Sequence, residues 1–416
     1  MAMLAASSLS LAQDQDISGS AHGAFTELPN GAFSTPISAE ENRRGAIGRM
    51  EITPSGALSL TIRFADHVHH QTGVFTVDEN SPPDDPLYVA DLGETSGGLY
   101  LKAYRDGTGE IALEWRDGDG NYVYAGFLMP AISRDEPLAT EPSTKPEAYS
   151  TVTLPTDGLT PDDPSKPQVQ TGAGYGILLI STSGASVFAG ALPDGQSVTG
   201  GGQLVNGSWP LNVPMMLRTS SGRDTATGHV AAVDNFLGGP VDGFMLWVKG
   251  ASPHDPLLPS GGQTYIGTRT AAYTPPARGE RILLGSQGGP LNARIWLRSP
   301  DRPETNDYGF LEKLFTLTSG NQAVFPAPNT DKLQVNFLPT LGLFTGKVKL
   351  SYIPPLQSKT VHFSGVVLQH RYLDPVSGEP YFEEGEAKGF FLAEPQPGTL
   401  DVPKVSGGVR MAPYYE

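Results

Sequence analysis

The chain has 416 residues, a formal net charge of −16 and no cysteine. The missing cysteine removes disulfides, thiolate metal sites, cysteine nucleophiles and covalent haem attachment, and leaves the compartment open. No basic run is longer than Arg43–Arg44, so neither the phosphates of nucleic acid nor an anionic membrane surface is a suitable partner.

Glycine (50) and proline (37) together make about a fifth of the chain, against roughly 12% in an average domain. Only 17% of residues are charged, too few for helices laced with salt bridges. Many short strands joined by many turns is the reading that fits, an all-β protein with room for about two to four domains.

In chain order, "MAMLAASSLSLAQDQD" opens with a short apolar stretch, and Ser10 and Ala12 suit the small-residue positions of a signal-peptidase site before Gln13. Residues 1–12 therefore read as a signal-peptide remnant and the protein as exported. Residues 13–132 read as a first β module carrying an N-terminal arm, with "GRMEITPSGALSLTIRF" as strand, Pro-Ser-Gly turn, strand. Residues 133–168 hold seven prolines and read as a stiff linker. Residues 169–285 form a second module, beginning strand, Thr-Ser-Gly turn, strand, Pro-Asp-Gly turn, strand. Residues 286–416 form a third, which is open to forming one unit with the second. The nearest approach to helical periodicity is "YGFLEKLFTL" at 308–317, one or two turns at most. No later stretch reaches 18 continuous apolar residues, so no membrane-spanning helix is expected.

A weak repeat runs through the modules. The turn glycines Gly56 and Gly184 are each followed 17 residues later by a second glycine, Gly73 and Gly201, and a third copy runs from Gly342 to Gly365 with six extra residues. Phe-x-Gly recurs at Phe188–Gly190, Phe344–Gly346 and Phe363–Gly365. Glycine at such places lets a strand coil tightly, as the corners of small barrels require. Each module is thus expected to be an antiparallel β-barrel or β-sandwich.

The pieces "GYGILLISTSG", "FAGALPDGQSVTG", "VDGFMLWVKG", "YTPPARGERILL", "LGLFTGKV", "FSGVVLQ" and "GFFLAEPQPGTLDV" occur in order over about residues 173–402. In these the chain resembles a β-rich repeat region of large secreted or cell-surface proteins of Verrucomicrobia and related bacteria. The matching motifs concern packing and turns. The resemblance implies an exported module and transfers no catalytic residue.

Chemistry-bearing motifs are sparse. In "ADHVHH", His67 and His69 would share one face of a regular strand, the His-x-His spacing of a metal pair, while Asp66 and His70 point away. "DGDGN" at Asp117–Asn121 has the alternating oxygens of a calcium loop, but Leu128 stands where the bidentate glutamate belongs. Glu379, Glu383, Glu384 and Glu386 would supply the carboxylate pair of a glycosidase, yet on a glycine-rich connection they read as the solvated loop of a hairpin. Of the four tryptophans, Trp115 and Trp247 sit in apolar strands. Trp209, in a turn, is the candidate sugar-stacking residue. No cofactor motif is present.

The expected function is a secreted, non-catalytic structural, assembly or adhesive protein of the bacterial cell surface or matrix. Its partners would be copies of itself or other surface proteins, met through strand edges and loops, with the arm at 13–30 as a strand to donate. A carbohydrate-binding protein is the first alternative, with polysaccharide as partner, and a carbohydrate-active hydrolase the second.

Overall fold

The computed structural model describes residues 19–27, 45–64, 68–82, 87–94, 100–105, 111–116, 122–131, 134, 148–156, 172–205, 212–222, 224–232, 241–253, 255, 259–299, 311–350, 359–373, 380–395 and 403–415. Among them every regular element is a strand, as the composition predicts.

The strands fall into three successive meanders, and in each the first strand pairs with the last. The first contains β1 (Gly19–Glu27), β2 (Gly45–Ile52), β3 (Ala57–Arg63), β4 (Val68–Val74), β5 (Thr76–Val77), β6 (Tyr88–Glu94), β7 (Tyr100–Arg105), β8 (Ile111–Arg116) and β9 (Tyr122–Pro130). Its order is β4-β3-β2-β1-β9-β8-β7-β6-β5, a barrel left open between β4 and β5. The second contains β10 (Tyr149–Leu154), β11 (Gly174–Ile180), β12 (Ala185–Ala191), β13 (Ser197–Gln203), β14 (Asn212–Thr219), β15 (Thr225–Ala231), β16 (Val241–Lys249) and β17 (Gly262–Ala272), and closes completely. The third contains β18 (Ala293–Arg298), β19 (Leu311–Leu317), β20 (Ala323–Val324), β21 (Gln334–Leu338), β22 (Leu343–Leu350), β23 (Lys359–Leu373), β24 (Pro380–Ala393) and β25 (Val405–Pro413). It is open between β20 and β21.

Local chemistry explains the meander. In the β2–β3 turn, Gly56 N donates to Thr53 O at 2.9 Å and Thr53 N to Ala57 O at 2.8 Å. The turns at Ser181–Gly184 and Leu192–Gly195 repeat both bonds. Gly56, Gly184 and Gly195 have φ of 80°, 81° and 85°, the left-handed residue that ends a type I turn in a bulged hairpin. Away from turns, side chains alternate in and out, as along β3 and β22. The inward sets build three separate cores, centred on Met50, Leu60 and Phe64, on Phe188, Leu217 and Trp247, and on Phe315, Phe344 and Phe391.

Two expectations are corrected, for the linker and for the N-terminal arm. Residues 149–154, inside the expected linker, are β10, the strand that closes the second barrel against both β11 and β17. Its burial is nearly continuous: Val152 and Leu154 enter the core, while Thr151 and Thr153 are covered from outside. Residues 311–317, the nearest approach to a helix, are β19, paired with β18. The arm expected at 13–30 contributes β1, which is hydrogen-bonded on one side to β2 and on the other to β9. It is a stave of its own barrel.

The second and third barrels pack closely. Tyr149 Oη donates to Leu341 O at 2.7 Å, Thr151 Oγ1 to Val367 O at 2.7 Å, and Thr274 N to Gln369 Oε1 at 3.0 Å. Ala271, Val366 and Leu368 form a small apolar cluster of their own. First and second barrels meet where Arg218 Nη2 donates to Phe64 O at 2.7 Å and Ala131 bridges to Val205.

Candidate functional site

The densest group of ionisable side chains closes one end of the second barrel. Asp194 lies in the β12–β13 turn, Asp224 just before β15, and Asp255 after β16, while Lys249 is the last residue of β16 and faces inward like Met245 and Trp247. All four are nearly inaccessible to solvent. Lys249 Nζ binds Asp194 Oδ2 and, at 2.6 Å, Asp255 Oδ2. Gln196 Nε2 donates to Asp194 Oδ2 at 3.1 Å and Asp224 Oδ2 at 2.5 Å, and Gly250 N donates to Asp224 Oδ1 at 3.1 Å. The Lys249 ammonium also stands 5.0 Å from the centre of the Trp247 ring.

Oxygen atoms of the three aspartates all lie within 4.8 Å of one another, a spacing a hard divalent cation accepts. Here Lys249 supplies the positive charge. Buried carboxylates require such a partner, because charge removed from water is costly unless paired and hydrogen-bonded. The arrangement is a clasp joining three hairpin ends. Sequence reasoning missed it because each aspartate sits in ordinary turn chemistry ("LPDGQ", "GRDT", "SPHDP"). The one legible signal was a lysine ending the apolar run "FMLWVK".

Of the predicted site residues, His69 lies among the described residues. His67 and Trp209 lie outside the described residues, as do Asp117–Asn121. His69 is half-buried on β4 with its ring edge-on to Phe64 at 5.6 Å, and it belongs to no group of metal-ligating side chains among the described residues. Trp247 is fully buried, as its apolar strand implies. Glu379 lies outside the described residues, and Glu383, Glu384 and Glu386 are corrected from loop to strand. Arg371 pairs with Glu383 and His370 with Glu384 along the β23–β24 hairpin. Glu386, buried, is ion-paired to Arg410 and, at 3.1 Å, to Lys388.

The outer face of the first barrel is more open. Rows across β2, β3 and β4 set Arg49 beside Thr61 and His70, and Ile47 beside Arg63 and Val68. Thr61 Oγ1 and His70 Nδ1 are 3.0 Å apart, and the Arg49 guanidinium is paired with Glu51. Strand β4 hydrogen-bonds along one edge only, to β3. None of its residues is fully buried, and Val68 and Val74 are 41% and 55% exposed.

No protein-family profile matches the chain, and no curated protein does. Among solved structures, a mutant of the vaccine antigen Transferrin Binding Protein B from Haemophilus parasuis is similar at 11% identity with a TM-score of 0.20. The alignment covers 95% of this chain and 76% of that one, a likeness too slight to assign fold or function.

Proposed function

We propose that this protein is an exported, non-catalytic structural or adhesive component of the bacterial cell surface or matrix, associating with copies of itself or with other surface proteins through strand edges and loops. The observation that carries the reading is the edge of the first barrel. Natural proteins guard exposed edges with lysine, proline, inward charges or very short strands. β4 has seven residues, "VHHQTGV", with none of these. The end of β4 runs beside β6, a Cβ on Gly73 lying 2.5 Å from Leu92 Cδ2 and 3.8 Å from Asp91 O, so it is the start of the strand, with the exposed Val68, that suits the addition of a strand from a neighbour. The third barrel is a useful contrast. Its edge strand β20 has two residues, and Phe325 packs on Phe315 at 5.2 Å while Lys313 binds Asp331 at 2.5 Å beside the opening.

Placing Val68→Lys and Val74→Lys together on β4 should abolish association and leave the melting temperature of the chain nearly unchanged. Association that persists in this variant would overturn strand addition at β4.

A further inference from the structure

A groove of about 550 Å³ runs between the first and second barrels. Its floor is the outer face of β2 and β3, with Arg49, Glu51, Ser59, Thr61 and Arg63, and its far wall is formed by Ala185, Gly202, Gln203 and Pro214. We propose that this groove binds an anionic polysaccharide, through arginine contacts to its carboxylate or sulfate groups and hydroxyl contacts to its sugar rings.

Charge is the first argument. Arg49 is paired with Glu51, but Arg63 forms no ion pair among the described residues. Arg218, close enough to Arg63 for the two charges to interact, spends its hydrogen bonds on the Phe64 carbonyl and the Met216 sulfur. Two guanidiniums thus line the groove with one carboxylate, and a third stands nearby, in a chain whose net charge is −16. A local positive field in an acidic protein selects anions at that place and repels them elsewhere. Arg49 and Arg63 are diagonal neighbours on adjacent strands, about 7–8 Å apart at the backbone. They would therefore meet successive charges on an extended chain.

The lining separates a glycan from an acidic peptide. A peptide is held by unpaired strand edges or by apolar pockets. The strands here have no spare edge: β2 lies between β1 and β3, β3 between β2 and β4, and β13 between β12 and β14. The apolar lining is limited to Ile47, Ala185 and Pro214. What the groove offers is the Ser59 and Thr61 hydroxyls and forked guanidinium donors, with Gly202 keeping the wall low; the Gln203 amide donates to Ser183 O at 3.0 Å and the Thr61 hydroxyl also meets His70. Ring hydroxyls and acidic substituents match that set of donors and acceptors. The groove floor adjoins β4, Arg63 lying beside Val68 and Thr61 beside His70, but the two tests use different variants and different readouts, so either reading can fail without the other.

The test is affinity electrophoresis of the full chain through native gels containing polygalacturonate, dextran sulfate, neutral dextran or poly-glutamate. A parallel set uses the variants Arg63→Glu and Arg49→Glu/Arg63→Glu, whose side chains lie on the surface. The expected result is retardation by polygalacturonate, dextran sulfate or both, weakening with added salt, and none by neutral dextran or poly-glutamate. Which of the two retards distinguishes a carboxylated from a sulfated ligand. The double variant should lose roughly tenfold or more in apparent affinity with an unchanged circular-dichroism melt. No retardation by either anionic glycan, equal retardation by poly-glutamate, or retardation unaltered in the double variant would each overturn the proposal. If the double variant melts early, Arg63→Glu alone decides.

Discussion

Phe344 lies directly opposite Gly365 across the β22–β23 ladder, and two residues along the same ladder Phe363 lies opposite Gly346. The pairing is reciprocal: each ring covers the other strand's glycine, and the two ring centres are 6.3 Å apart. A Cβ on Gly365 would come within 2.5 Å of Phe344 Cζ and 2.1 Å of Lys388 O. The glycines make room for the rings, and the rings fill the surface the glycines leave bare.

Gly365→Ala should therefore destabilise the third barrel by about 1–3 kcal/mol, the usual penalty for forcing an added group into a packed core. Gly288→Ala is the control, since nothing lies within 4 Å of its added Cβ, and should stay within about 0.5 kcal/mol of the parent. Urea titration of both variants measures the difference. Equal effects would show that the rings do not require the glycines.

This motif was legible in the sequence because Phe-x-Gly is local and repeats. The turn glycines Gly56 and Gly184 were legible for the same reason, each embedded in a turn that demands positive φ. Strand β10 was not legible. "YSTVTL" is buried on both faces by two different barrels, so the alternation that reveals a half-exposed strand is absent. The Lys249 clasp was hidden because its members are separated by up to 61 residues and converge only when the barrel closes. The open edge at β4 had a partial signal in the absence of charge and proline from "VHHQTGV".

Lys249→Met should destabilise the chain by about 3–5 kcal/mol, because three buried carboxylates would lose the ammonium that binds two of them. Replacing Asp194 and Lys249 together, as Asp194→Asn with Lys249→Met, should recover part of that loss. Thermal unfolding of the single and double variants tests the coupling. If the single substitution is neutral, the clasp contributes nothing to stability.

Burial holds the His229 imidazole down to about 4 from an ordinary 6.5, with Nδ1 3.1 Å from Asn212 Oδ1. Above pH 6.5 the ring is neutral in folded and unfolded chains alike and adds no pH dependence. As pH falls from 6.5 towards 4 the unfolded chain takes up the proton first, so stability should drop by up to about 3 kcal/mol. His229→Gln should flatten that part of the stability–pH profile, measured by chemical denaturation at pH 7, 5.5 and 4.5. An unchanged slope would show that another group titrates there.

Removal of residues 13–30 deletes β1 and leaves the inner edges of β2 and β9 unpaired. Hydrogen exchange should then show lost protection across the first barrel, with the second and third barrels still protected. Full protection of β2 and β9 in the truncated chain would mean that β1 is dispensable for closure.

The central claim is association through an open strand edge, and the mass of the chain in solution tests it most directly. Light scattering with negative-stain imaging over a range of concentrations should show species larger than the 44.1 kDa chain, with regular repeats, that collapse to single copies in the Val68→Lys/Val74→Lys variant. A single copy at every concentration, with no higher species in the stained images, would contradict the account.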